Sequence, residues 1–239
     1  MSRHARIREA VSADASFLSD IILTSARSHE TCGIWDLVFP DSEQQLRRLL
    51  ETLVVQKPAC SCHYSTFLIA ESAGRPAAAL CGYDPEEVVG ICHALALGFE
   101  RLGVEESELV GAFERLASFQ TCSPDQTPGV WIVEWVATRP EFRRPGLAHS
   151  LLEEILWLGK ELDYPTAQIA TFIENEPAIR AYEKAGFQIS EQRTHPAFDQ
   201  VIGSQGMSIM KLDFVARFEG LETERVGIDV GPTVHPSYR

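Results

Sequence analysis

The chain has 239 residues, 45% of them hydrophobic and 23% charged, the balance of a globular protein with a full core. Its formal net charge is −13, from 21 basic and 34 acidic residues, and no basic stripe marks it as a nucleic-acid binder. The acidity suits a soluble surface, and equally the attraction of a cationic acceptor.

No apolar run approaches the roughly 20 residues of a membrane span. The start, MSRHARIREAVSADASF, lacks the apolar stretch of a signal peptide. The six cysteines are scattered in a chain too long for a disulfide scaffold. Free thiols in a reducing cytoplasm are therefore expected. Cys60-x-Cys62-His63 has the wrong spacing for a zinc knuckle, and no second ligand pair follows. No metal is expected there, and the segment reads as a strand of alternating small side chains.

In chain order, Ala5 to Glu9 reads as a short strand. Ser12 to Arg27 reads as a helix with Ser12 as N-cap and Phe17, Leu18, Ile21 and Ile22 on one stripe. Residues 29–41 form a connection bearing Trp35 and Phe39. Ser42 caps a second helix that runs to about Gln56. Tyr64 to Glu71 and Arg75 to Tyr83 are β-rich, split by the hairpin signal Ala73-Gly74.

Residues 85–127 break the strand rhythm. Pro85 to Leu102 and Glu105 to Phe119 read as two amphipathic helices, followed by a polar loop from Gln120 to Gly129. So long a connection reads first as a packing accessory or dimer contact, and alternatively as a wall of an acceptor site.

Val130 to Thr138 (VWIVEWVAT) is a strand, and Leu147 to Leu162 an amphipathic helix. Between them lies Arg143-Arg144-Pro145-Gly146-Leu147-Ala148. A glycine turn that opens a helix presents backbone N–H groups at the positive end of the dipole, a site for phosphate. Thr166 to Phe172 is a strand, Pro177 to Ala185 a short helix ended by Gly186. Phe187 to Glu191 and Met207 to Phe214 complete the β elements. Residues 1–214 read as one domain and 215–239 as a tail that could dock on another subunit. The strand–helix–strand order over 129–172 implies a parallel pair, and the earlier hairpins imply antiparallel pairing. The expected fold is a mixed, mostly antiparallel α/β sheet flanked by helices.

Two clusters carry the functional signal. Val136-x-x-x-Pro140 leads into Arg143-x-x-Gly146-x-Ala148. Further on stands Asn175-x-x-Ala178-x-x-x-Tyr182-x-x-x-Gly186-Phe187. In this pairing, order and spacing the chain resembles the GNAT superfamily of acyl-CoA-dependent N-acetyltransferases, closely over about residues 129–190 and loosely over 5–213. The resemblance implies acetyl-CoA as acyl donor and an amine as acceptor, joined by direct attack. It implies a cofactor cleft formed by Val136, Ala137, Thr138, Arg143, Arg144, Gly146, Leu147, Ala148, Asn175, Ala178 and Tyr182. Pro145 departs from the usual loop, since proline has no N–H to offer.

Acetyl transfer to an amine needs a held donor, a neutral amine, donors for the developing oxyanion and a proton for the leaving thiolate. The resemblance gives the proton to Tyr182, whose ordinary phenol roughly matches a CoA thiolate; the alternative is a packed tyrosine. It gives the oxyanion a backbone N–H near Val136. Asn175 would meet the pantetheine arm or cap its helix. Glu134, a carboxylate inside an apolar strand, is the candidate base, with a structural ion pair as the alternative. Strict alternation would put Trp131, Val133 and Trp135 on one face and Ile132, Glu134 and Val136 on the other. His63, His93, His149 and His195 are the fallback bases. The resemblance also implies that Glu134 and the 29–41 connection, with Trp35 and Phe39, border the amine pocket. A non-catalytic CoA sensor and a transferase of longer acyl chains are the competing readings.

Overall fold

The computed structural model describes residues 6–143 and 146–219. Its centre is a seven-stranded sheet in the order β1-β2-β3-β4-β5-β7-β6. The strands are β1 (Arg6–Glu9), β2 (Phe67–Ser72), β3 (Arg75–Tyr83), β4 (Trp131–Thr138), β5 (Thr166–Phe172), β6 (Gln188–Thr194) and β7 (Gly206–Asp213). Every neighbouring pair is antiparallel except β4 and β5. The expected mixed sheet with one parallel pair is therefore observed.

Helices cover both faces. On one face lie α1 (Ala15–Arg27), α2 (Glu43–Val55), α3 (Ile91–Leu102), α4 (Glu106–Gln120) and α7 (Pro196–Ile202). On the other lie α5 (Leu147–Glu161), α6 (Glu176–Lys184) and α8 (Phe214–Phe218). The periodic apolar stripes explain the split. Leu46, Leu49, Leu50 and Leu53 of α2 recur every three or four residues and are all buried. Ser42 caps α2 as its sequence predicts, its hydroxyl accepting the Gln45 N–H at 3.2 Å. The Ala73-Gly74 hairpin is also found, both residues at positive φ as a two-residue turn of this type requires.

Several local expectations are corrected. Ser12 is not a cap; Asp14 closes that turn by accepting the Val11 N–H at 2.8 Å while Arg8 grips its carboxylate. α3 starts at Ile91, not Pro85, because 84–90 forms a turn in which Asp84 accepts the Glu86 N–H. Cys60 and Cys62 lie in a turn, with only a lone bridge from Cys60 to Val89, and both thiols are buried among apolar side chains. The segment after β6 holds α7, which the sequence reading passed over. His195 caps it and Gly203 ends it at φ 89. The tail begins as α8, where Arg217 pairs with Glu153 at 2.7 Å. The rest of the proposed tail, 220–239, lies outside the described residues.

α5 matters most for the site, because it carries the glycine turn at its start. It sits close on β3 and β4 for a steric reason. A Cβ at Gly82 would come within 2.6 Å of Ile155 and 2.7 Å of Trp131. The Trp131 indole fills that space and donates to the Ile155 carbonyl at 3.1 Å. Gly82→Val is therefore expected to cost about 1–3 kcal/mol by overpacking. Denaturant unfolding should show a lowered midpoint; an unchanged midpoint would mean the helix is not held this tightly.

Candidate active site

The parallel ladder between β4 and β5 is short. It runs from Trp131 opposite Ala167 to Val133 opposite Ile169. Both strands continue, to Thr138 and Phe172, without pairing to each other. A wedge opens between them.

The wedge begins where β4 bulges. Pairing with β3 steps from Cys81 opposite Glu134 to Ala79 opposite Ala137, so Trp135 and Val136 together face Leu80. This is two residues against one, a bulge that bends the strand and re-aims its side chains. Trp135 takes the left-handed region at φ 55 to make the bend. The expected alternation thus fails beyond Glu134. Trp135 packs with Ile132 on the α1–α4 face, and Val136 packs on the α5–α6 face.

On the α1–α4 side the wedge widens into a cleft of about 360 Å³, a size suited to a small molecule. Glu134 and Trp135 form its floor, with Ala170 and Phe172 of β5 and Met207 of β7 beside them. Trp35, in a short 3-10 turn (Ile34–Leu37), lies 5.8 Å from Trp135 between ring centres. Phe39 was expected beside Trp35 but does not line the cleft; it stacks on Phe99 of α3 at 5.1 Å. The 85–127 segment, read first as packing, does line it. Leu95 of α3, Leu116 and Phe119 of α4, and Gln126 of the following loop form that wall. The loop is tied down by Arg193, which binds the Ser123 carbonyl at 2.6 Å and Asp125 at 2.7 Å.

Glu134 is half-buried and forms no ion pair among the described residues. Burial pushes its pKa up from 4.5 to about 7, against the opposing pull of hydrogen bonds with Tyr83 and Gln126. Gln126 Nε2 lies 2.7 Å from the Tyr83 hydroxyl and makes a longer contact of 3.4 Å with Glu134 Oε1. Sequence reasoning missed both partners. Tyr83 ends a strand 51 positions earlier and Gln126 sits in a polar loop, so only the fold brings them here. None of the four candidate histidines lines the cleft. His63 is buried, donates or accepts with Ser65 at 2.7 Å, and is pushed down to about 4 by burial and Lys57.

On the opposite face of the sheet lies α5, whose first residue, Leu147, shares an apolar cluster with Val133, Ile169 and Tyr182. Gly146 has φ 80, and a Cβ there would meet nothing within 4 Å. No side chain caps this helix, so the first-turn N–H groups of Leu147 and Ala148 lie at an open, positive end. Arg143 is exposed beside it. Arg144 and Pro145 fall outside the described residues. Ala137 and Thr138 are half-buried and pair with Ala79 and Ala78 of β3.

Asn175 caps α6: its Oδ1 accepts the Ala178 N–H at 3.2 Å, and its Nδ2 donates to Thr171 at 3.0 Å and Ser28 at 2.6 Å. Two turns further on, Tyr182 is 7% exposed, in the same apolar cluster as Leu147 and Phe187 and with Val136 packed against that cluster. Burial pushes its phenol well above the ordinary value, so it stays protonated across the physiological range.

The raised pKa of Glu134 has a consequence for stability. A carboxylic acid whose folded pKa exceeds its unfolded one loses stability as pH rises. The penalty is absent below the unfolded value near 4.5 and complete above the folded value near 7. Glu134→Gln is therefore expected to change stability little at pH 4 and to raise it at pH 8 by up to about 3 kcal/mol. Denaturant midpoints at the two pH values measure this, and a gain that does not depend on pH would refute it.

Comparison with known proteins agrees with this geometry. The model of the GNAT acetyltransferase family matches residues 33–187, more than half of the chain. A solved structure described as an acetyltransferase superposes with a TM-score of 0.64 at 20% identity, covering 87% of this chain and 98% of that one. An N-acetyltransferase from Staphylococcus aureus Mu50 gives 0.63 at 17% identity, covering 87% and 100%. A polyamine N-acetyltransferase of Drosophila melanogaster gives 0.51 at 17%, covering 87% and 99%. At such identities the likeness shows the fold. Among curated proteins none matches in sequence. The family match takes in the bulged β4, Gly146 and the Asn175–Phe187 cluster, and on that ground the chain belongs to the GNAT family of acetyltransferases.

Proposed function

We propose that this protein is an N-acetyltransferase that moves an acetyl group from acetyl-CoA to an amine by direct attack. The unpaired opening between β4 and β5 carries the reading. It joins the open α5 end on one side to the Glu134 cleft on the other, so a phosphate-bearing donor and an amine can meet across the sheet.

The residues present fit acetyl-CoA. Gly146 leaves open space where any other residue would project a side chain, and the uncapped α5 terminus supplies N–H donors for a pyrophosphate. Arg143 adds charge. The wall strand supplies Val136, Ala137 and Thr138. Asn175 fixes the start of α6 and with it the position of Tyr182; Ala178 lies in the same turn. Bound acetyl-CoA supplies an activated acyl carbon and a good leaving group.

Glu134 takes a proton from the incoming ammonium, directly or through water, and a pKa near 7 suits a base working at neutral pH. The amine nitrogen then bonds to the acyl carbon as the carbon–sulfur bond breaks. Backbone N–H groups at the bulge near Val136 face the oxygen on which charge develops. Tyr182 donates its proton to the departing sulfur. Its raised pKa leaves that donation less evenly balanced than an ordinary phenol would, so the proton is passed late, and the second proton lost by the nitrogen as the amide forms replaces it through solvent. A merely sensing protein would have no use for a half-buried carboxylate that has neutral hydrogen-bond partners and no ion-pair partner among the described residues.

Calorimetry with CoA tests the holding site. Saturable binding is expected, and Gly146→Glu should weaken it by tenfold or more while Gly146→Ala, which shares the backbone strain, weakens it less. Equal binding by the folded Gly146→Glu protein would remove the site.

Tyr182→Phe is expected to lower kcat by roughly 10²–10⁴-fold at most, with little change in acetyl-CoA affinity, since the proton is needed only in the transition state. Full activity in the variant would reduce Tyr182 to packing.

A further inference from the structure

We infer that the acceptor is a monoamine on an apolar body of aromatic size, and that the helical 85–127 segment selects it. This rests on the acetyl-transfer reading and gives the acceptor its chemical class.

Among the described residues that line the cleft, Glu134 is the one aspartate, glutamate, histidine, lysine or arginine. One carboxylate matches one amine. A second ammonium or a guanidinium on the same acceptor would enter a lined space with no further carboxylate. An amino acid's carboxylate would find no lysine, arginine or histidine there. Buried charge without a partner is strongly disfavoured. The net charge of −13 attracts any cation from afar, so it cannot favour one amine over two. Discrimination has to come from the cleft itself.

The walls supply it. Trp35 and Trp135 line the cleft while their indole N–H groups are buried away from solvent without partners, so the surface they present is ring carbon. Opposite them the 85–127 segment offers Leu95, Leu116 and Phe119. The two indoles, 5.8 Å apart between centres, already touch each other, so a further ring packs beside the pair and not between its members. The polar side chains of the loop, Gln120, Ser123 and Gln126, contribute hydrogen-bonding groups but no charge. Gln126 ties the loop to the Glu134–Tyr83 pair, so the wall that grips the apolar body also steadies the group that receives the amine.

The test uses the full chain, with CoA release followed for phenethylamine, tryptamine, spermidine, agmatine and lysine, and with acetyl-CoA and octanoyl-CoA as donors. The two arylalkylamines are expected to exceed the other three by at least tenfold in kcat/KM. Leu116→Ala should raise KM for phenethylamine several-fold and leave KM for acetyl-CoA unchanged. Quenching or a shift of tryptophan emission on titrating the wild-type protein with phenethylamine, saturable and absent with spermidine, reads the same contact without turnover. Spermidine, agmatine or lysine used as well as phenethylamine would overturn the inference and leave the transferase reading intact. A preference for octanoyl-CoA would overturn it too, by giving the apolar cleft to an acyl tail. If CoA fails to bind in calorimetry the transferase reading falls, and the emission titration then decides whether an apolar amine binds at all; no saturable response overturns the inference.

Discussion

The site depends on the failure of two strands to stay paired. β4 and β5 share three residue pairs and then separate, and the separation follows from the extra residue in β4. A parallel ladder is evenly spaced, so a strand that turns away at Trp135 cannot regain its neighbour. The backbone pays for the bend with a tryptophan in the left-handed region, a cost of order 1–3 kcal/mol. Regular pairing to β3 on both sides of the bulge and the contact between Trp135 and Trp35 hold it there. From this single irregularity follow the opening through the sheet, the reversal of side-chain direction after Glu134, and a floor for the cleft on one side only.

The chemistry of Glu134 is a second result of tertiary packing. A carboxylate on an open sheet face would ionise near its usual value. Here the α1–α4 layer and the 120–129 loop shield it from water and provide no cation, so its proton is held to about pH 7. Two neutral hydrogen-bonding groups, Tyr83 and Gln126, limit the rise without abolishing it. The loop that supplies Gln126 is itself anchored by Arg193 from β6, on the far edge of the sheet. The environment of the carboxylate is thus assembled from β3, β6 and the loop that leads into β4, of which only the loop is near Glu134 in sequence.

Much of the fold was legible in the chain. The bounds of β3 and β5 match their sequence patterns residue for residue, because each is an apolar run ended by turn-forming or polar residues. The Ser42 cap, the α2 stripe, the Gly146 turn and the Asn175 cap were legible for the same reason: each is set by interactions within a few residues. The Ser12 cap, the start of α3 and the Cys60–Cys62 strand were misread. In each case a partner beyond the local pattern took part, namely Arg8 on Asp14, the Gly129 N–H donated to Asp84 in the turn before α3, and burial of both thiols under the helices. α7 was missed although His195-Pro196 and Gly203 bracket it, since seven residues give little periodicity to detect.

By itself the sequence determined the local features on which the family resemblance rests: a glycine turn opening one helix, an asparagine opening the next, and a tyrosine two turns later. Those features are local in the chain, and backbone hydrogen bonding and glycine's freedom at positive φ are enough to specify them. Only the tertiary structure decided the cleft around Glu134. The bulge at Trp135 depends on the partner strand's register, the pKa of Glu134 on how much water the surrounding helices exclude, and the apolar wall on where the 85–127 helices come to rest. Each of these is set by packing between segments far apart in the chain, which no short window of sequence contains.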